Sequence, residues 1–127
     1  MEVCLMGAGG TEKQSKHFSV SSRRLVAEGS DMFVKEFNLG PNEGIPWHSH
    51  TRVFDIFYCL EGRLEVDSMD LPGRQARPRV TLAVGESARI EAGTAHHPFN
   101  AGDGPCRFLL IQGVGEYDFL PLKPTPA

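Results

Sequence analysis

Three histidines and one aspartate are the residues best suited to chemistry in this sequence: His48, His50, Asp55 and His96. His48 and His50 are two positions apart, so on a β-strand both imidazoles would face the same side. Asp55 can reach the same point from a neighbouring strand if the chain turns after His50, and His96 would come from a second hairpin. Neutral imidazoles with one carboxylate suit a divalent transition metal with open coordination positions. We therefore predict one such metal here, with iron, zinc, nickel, manganese and copper all open as its identity.

Each of these residues also has an ordinary explanation. A histidine on a strand often lies at the surface or forms a hydrogen bond in the core, and Asp55 could instead pair with Arg52 or Arg63. His97 should face away from His96 by strand alternation, so it is left out of the predicted site. Spacing alone therefore leaves both the metal site and the ordinary interpretation open.

The composition narrows the class of protein and its partners. The chain has 127 residues, enough for one domain, and a formal net charge of −3, which gives no electrostatic reason to expect nucleic acid or an anionic membrane as partner. Its three cysteines lie far apart in sequence, which argues against a disulfide framework and suits a reducing compartment. The first ten residues resemble neither a signal peptide nor a membrane span. We expect a cytoplasmic protein with a small-molecule ligand or substrate and with no nucleic-acid or membrane partner.

Short apolar runs between glycine and proline residues predict an all-β fold, a sandwich or barrel, because no stretch keeps a helical apolar period. The predicted strands cover residues 18–27, 32–39, 45–50, 54–60, 63–67, 80–84, 87–90, 96–100 and 107–112. Residues 68–78 are predicted to form a long surface loop. We expect residues 1–127 to form a single domain, with a flexible arm over about 1–16 and a proline-rich tail over 116–127 that lies on the surface.

The segment around the first two histidines resembles a known family motif. Gly44 precedes His48 and His50, Asp55 follows them, and Gly62 stands seven residues after Asp55. This order is similar to the first motif of the cupin superfamily, which has a glycine, two histidines, a glutamate and a further glycine. Asp55 stands at the glutamate position with a side chain shorter by one methylene. A three-histidine site with Asp55 outside the metal's coordination sphere therefore remains open.

A second segment resembles the second cupin motif, which follows the first at a plausible separation. Gly85, Gly93, His96 and Asn100 stand at the family spacings, and Glu91 replaces the motif's proline. Together the two motifs cover roughly residues 30–115.

The resemblance implies an antiparallel double-stranded β-helix, a jelly-roll-like barrel of the small single-domain type that includes RmlC-like proteins. In this family the matching histidines and acid hold a metal, which supports the four ligands predicted above. Small cupins commonly pair through edge strands and swapped arms, so the resemblance also implies a homodimer.

Alternation along residues 54–60 predicts which side chains surround the site. If Asp55 faces inward, Phe57 and Cys59 share its face and are candidates to line the pocket. A small buried hydrophobic residue is the simpler explanation of Cys59. Gln112, a polar residue in an apolar run, is a third candidate at the pocket mouth.

Two classes of function remain open at this stage. The first is a metal-dependent enzyme, of dioxygenase, isomerase or lyase type, in which the metal polarises a carbonyl or, if it is iron, binds dioxygen. The second is a non-catalytic ligand-binding cupin whose metal is structural or anchors the ligand. A metal-free barrel whose histidines bind a ligand directly is a third, weaker possibility. No catalytic residue separate from the metal ligands can be assigned, because fold is poor evidence for chemistry.

Overall fold

The computed structural model describes residues 11–14 and 19–124 of the chain. The described residues form strands, turns and loops, which confirms the all-β prediction, and none of them forms a helix that is long and apolar enough to cross a membrane. The strands are β1 (Thr11–Gln14), β2 (Ser19–Glu28), β3 (Phe33–Leu39), β4 (His48–Ser49), β5 (Phe54–Glu61), β6 (Leu64–Asp70), β7 (Gln75–Ala76), β8 (Val80–Leu82), β9 (Ser87–Ile90), β10 (Ala95–Phe99), β11 (Cys106–Gly113) and β12 (Leu120–Pro121).

The strands form two antiparallel sheets that enclose one apolar core. The first sheet has the order β1-β2-β3-β11-β5-β9, and the second has the order β12-β4-β10-β6-β7, with β8 also paired to β6. The neighbours in each sheet are mostly distant in sequence. The fold therefore brings together residues that lie far apart along the chain.

Strict alternation on the central strands of the first sheet decides what faces the core. On β5, Asp55, Phe57 and Cys59 are buried, while Tyr58 between them is exposed. On β11, every second residue from Cys106 onward is buried, and Gln112 is the last of these four. A side chain placed at either of these strand ends can therefore point into the barrel.

The strand predicted over residues 45–50 is wrong in extent, since only His48–Ser49 forms β4. Pro46 has no backbone N–H to donate to a ladder. Just before it, the Ile45 N–H donates instead to the carbonyl of Pro98 at 2.9 Å, and Gly44 forms an isolated bridge with Phe99. The approach to the two histidines is therefore an irregular segment tied to β10.

The long loop predicted over residues 68–78 is also wrong. β6 continues to Asp70, and β7 returns along it with Met69 opposite Ala76. Ser68 is buried on the same face as Leu64 and Val66, so the alternation of β6 continues past the residue where the predicted strand ends. Pro72 and Gly73 belong to the short turn of this hairpin, and Pro78 follows β7.

Both ends of the described chain take part in sheets. Thr11–Gln14, the described part of the predicted arm, pairs with β2 as an edge strand, and the rest of that arm lies outside the described residues. The tail contributes β12, which pairs with β4 at an edge of the second sheet. Pro121 is tolerated there because an edge strand can lack one N–H donor.

Candidate metal centre

The structure brings the four predicted side chains into one buried group. His96 on β10 stands opposite His48 on β4, and His50 follows in the same segment. Asp55 reaches the three histidines from β5 of the other sheet. One ligand atom from each of the four lies within 4.8 Å of all the others, and the exposed fraction of each residue is 3% or less.

Each histidine of this group is oriented by a backbone carbonyl. An oxygen of that kind only accepts, so each Nδ1 carries the proton and donates it, which leaves Nε2 with a lone pair in the neutral ring. The Nδ1–oxygen distances are 2.7 Å for His48 to Pro46, 2.5 Å for His50 to Asp118 and 2.9 Å for His96 to Thr94. Histidines that ligate metals are commonly held in this way.

Asp55 divides its two carboxylate oxygens between two tasks. Its Oδ2 lies 2.7 Å from Nε2 of His96 and 3.2 Å from Nε2 of His50. Its Oδ1 accepts a hydrogen bond from Nε2 of Gln112 at 2.7 Å. The alternative partners Arg52 and Arg63 are therefore wrong for this carboxylate, and Arg63 instead lies 3.5 Å from Glu65.

The charges of the group follow from burial and from these contacts. Burial and the neighbouring His96 lower the pKa of His48 to about 3, so its imidazole is neutral near pH 7. Burial also disfavours the charged form of His50, but contact with Asp55 outweighs it and raises the pKa of His50. Burial opposes ionisation of Asp55, yet the hydrogen bonds from His50 and His96 hold the pKa of this carboxyl well below its usual range.

This arrangement fits a cation. A lone pair on Nε2 and a carboxylate oxygen repel each other at 2.7 Å unless a proton or a metal ion lies between them. Three nitrogen donors and one oxygen donor, buried and already oriented, match the ligand set of divalent transition metals. The residues present therefore suit a metal, and Oδ2 is the oxygen that Asp55 can offer to it.

The three predicted lining residues occupy different places. Gln112 lines a small, partly open cavity beside His48 and His50. Phe57 lies behind His96, with ring centroids 6.0 Å apart. Cys59 is a buried free thiol whose Sγ faces the carbonyls of Glu61 and Gly62, as its ordinary interpretation as a small core residue suggests.

Predictions from the sequence missed the contribution of the tail. The ring of Phe119 stacks on His48 at 4.4 Å between centroids, and that of Tyr117 lies 5.5 Å from His50. The backbone of Asp118, between them, orients His50. The one available signal was that Tyr117 and Phe119 are two apart and so share a face in an extended segment.

Solved structures with similar folds include a conserved protein with a double-stranded β-helix domain from Klebsiella pneumoniae, at 24% identity and a TM-score of 0.66 over 80% of this chain and 84% of that one. The KdgF protein of Halomonas sp. is 16% identical, with a TM-score of 0.66 over 84% of this chain and 87% of that one. Oxalate decarboxylase from Bacillus subtilis is 17% identical, with a TM-score of 0.70 over 87% of this chain. This chain spans 29% of the length of that enzyme.

These likenesses confirm the antiparallel double-stranded β-helix. No protein of curated function has significant sequence similarity to the chain. The family model described as "Cupin domain" matches residues 35–112, more than half of the chain and the part that holds all four residues of the buried group. The chain therefore belongs to the cupin family.

Proposed function

We propose that this protein is a metal-dependent enzyme that acts on a small organic molecule, with one divalent transition metal held by His48, His50, Asp55 and His96. The observation that carries the proposal is the convergence of three imidazole nitrogens and one carboxylate oxygen in a buried group. Buried carboxylate and imidazole groups need a compensating positive charge, which a proton or a bound metal ion can supply.

Asp55 is proposed as a ligand through Oδ2. Gln112 already occupies Oδ1, so the carboxylate presents a single oxygen to the centre. The shorter side chain still reaches the histidines, because Oδ2 lies within 3.2 Å of Nε2 of both His50 and His96. A site with three histidine ligands, in which Asp55 only orients its neighbours, is the alternative arrangement.

Access to the centre favours an enzyme. His48 and His50 line the cavity that holds Gln112, so a molecule in this cavity would contact the proposed ligands directly. A bound divalent metal supplies Lewis-acid polarisation of an oxygen on such a molecule. The reaction would be of oxygenase, isomerase or lyase type, and enzymes such as oxalate decarboxylase and oxalate oxidase share the fold.

A non-catalytic cupin that binds a small ligand is the second candidate. The cavity walls favour it to some extent, since Ile45, Leu110 and Phe119 offer mostly apolar surface for burying a ligand. Turnover separates the two candidates. Metal-loaded protein that converts small acids, diols or aromatic compounds faster than metal-free protein supports the enzyme, whereas stoichiometric binding without conversion supports the alternative.

Elemental analysis of the purified protein tests the metal centre. We expect about one transition metal ion per chain in the wild type, and little in His48→Ala and His96→Ala, because each loses one of four ligands. His97→Ala is the matched control, since Nδ1 of His97 faces the carbonyl of Ile45, outside the group. Circular dichroism checks that all variants fold, and full metal content in folded His48→Ala and His96→Ala would disprove the site.

Homodimer formation and a cytoplasmic location are further parts of the proposal. β1 and β9 end the first sheet as edge strands, which can pair with a second copy. The free thiols of Cys59 and Cys106 suit a reducing compartment. Light scattering of the eluted protein tests the dimer, and the mass of a single chain at micromolar concentration would contradict it.

A further inference from the structure

Two basic residues occupy positions on the inner face of the first sheet. Arg23 on β2 stands opposite Phe37 on β3, and Lys35 stands opposite Leu25. Phe37 is buried in the core, and Lys35 precedes it by two positions, so both point to the inside of the barrel. Arg23 and Lys35 line the same cavity as His48 and His50.

This placement is unusual for charged residues. Inward-pointing charges sometimes protect the edge of a sheet from pairing with another chain. Here β3 lies between β2 and β11, and β2 is itself covered by β1, so protection of an edge does not explain them. The register makes Arg23 and Lys35 diagonal neighbours, close enough for their long side chains to approach each other.

The side chains that line the cavity therefore carry a net positive charge. Among the described residues that line it, none is acidic. Asp55 lies behind the lining, where Gln112 and the histidines contact its carboxylate. The two cations of the wall thus face the same partly open pocket as His48 and His50.

An aromatic rim positions one of these cations. Nζ of Lys35 lies 4.6 Å from the ring centroid of Phe33 and 5.9 Å from that of Tyr117, at distances where aromatic rings attract a cation. The ring of Tyr117 also lines the cavity. The cavity thus combines two cations with aromatic walls.

We propose that this cavity binds a small organic anion whose carboxylate lies between Arg23 and Lys35, with the rest of the molecule directed toward His48 and His50. A guanidinium can hold a carboxylate through two parallel hydrogen bonds, and the partly desolvated wall strengthens that attraction. One part of this proposal rests on the proposed function, namely that the anion is the substrate or ligand of the metal centre. The anion site itself depends on Arg23 and Lys35.

Isothermal titration calorimetry with malonate, malonamide and inorganic phosphate tests this site in metal-loaded and metal-free protein. We expect malonate to bind and malonamide, of nearly the same shape without charge, not to bind. Arg23→Gln and Lys35→Met should each weaken malonate binding about tenfold or more, because each removes a charged partner. Arg24→Gln is the matched control, since Arg24 lies next to Arg23 in sequence but forms an ion pair with Glu36 at 3.1 Å.

Metal content measured on the same samples separates the two proposals. The anion site is supported if the variants Arg23→Gln and Lys35→Met keep the metal content of the wild type but lose malonate binding. Wild-type protein that holds no metal but binds malonate through Arg23 and Lys35 supports the anion site and contradicts the metal centre. Equal binding of malonamide, tighter binding of phosphate, an equal loss in Arg24→Gln, or no binding of malonate by either form of the wild type would overturn the carboxylate proposal.

Discussion

Gln112 and Asp55 stand directly opposite each other on β11 and β5, and Nε2 of Gln112 donates a hydrogen bond to Oδ1 of Asp55 at 2.7 Å. Both residues are at most 2% exposed. The same amide nitrogen lies 3.3 Å from Nε2 of His50. Gln112 therefore holds one carboxylate oxygen and leaves the other directed at the histidines.

Gln112→Met should weaken metal binding roughly 10- to 100-fold, the usual effect of removing a partner that orients a metal ligand. Methionine fills a similar volume but cannot donate to Oδ1 of Asp55. Competition with a chromophoric chelator measures the affinity. Gln75→Met is the matched control, because Gln75 is exposed on β7. An affinity that is unchanged in Gln112→Met would show that the hydrogen bond does not support the site.

Asp55→Asn should weaken metal binding more than Gln112→Met does, because it removes the negative charge of a proposed ligand as well as its orientation. The same chelator competition compares the two variants. Asp67→Asn is the control, since Asp67 forms a surface ion pair with Arg79 at 2.7 Å. A loss no larger than that of Gln112→Met would favour the three-histidine arrangement with Asp55 outside the coordination sphere.

Glu43 should contribute stability that depends on pH. Its Oε1 accepts hydrogen bonds from Oγ of Ser21 and from the backbone of Gly40. The bond from Ser21, and to a lesser extent the one from Gly40, lowers the pKa of Glu43 from 4.5 despite partial burial. The contribution is therefore complete above the unfolded pKa and is lost as pH falls through the lower folded value.

Urea unfolding at a series of acidic pH values checks this contribution. Glu43→Gln should lose less free energy of unfolding than the wild type between neutral and acidic pH, because glutamine does not titrate. Ser21→Ala should shift the response in the same direction, since it removes the main cause of the lowered pKa. Parallel loss of stability in the wild type and Glu43→Gln would contradict the assignment.

Gly62→Ala should destabilise the fold more than Gly85→Ala. Both glycines have positive φ, +73° and +87°, where a side chain costs about 1–2 kcal/mol. A Cβ on Gly62 would also clash with the carbonyl oxygen of Pro105, whereas one on Gly85 would meet nothing within 4 Å. Urea unfolding measures both variants. Equal losses of unfolding free energy would mean that the contact with Pro105 relaxes without cost.

Most of the strands could be predicted from local patterns. Residues 54–60 and 107–112 are short apolar runs between turn residues, and β5 and β11 form there within a residue or two of the predicted bounds. Residues 45–50 could not be predicted in this way, because the bond from Ile45 to Pro98 that replaces a ladder depends on a distant strand. Residues 68–78 were mistaken for a loop because their turn residues outweighed the continuing alternation of β6.

The sequence by itself determined the all-β class and the candidate ligands His48, His50, Asp55 and His96, because strand parity and motif spacing are local properties of the chain. Only the tertiary structure decided what holds and surrounds them. The pairing of β5 with β11 places Gln112 on Asp55, and the return of the tail places the carbonyl of Asp118 on His50. These contacts join residues more than fifty positions apart, so they depend on sheet order and register, which no local pattern encodes.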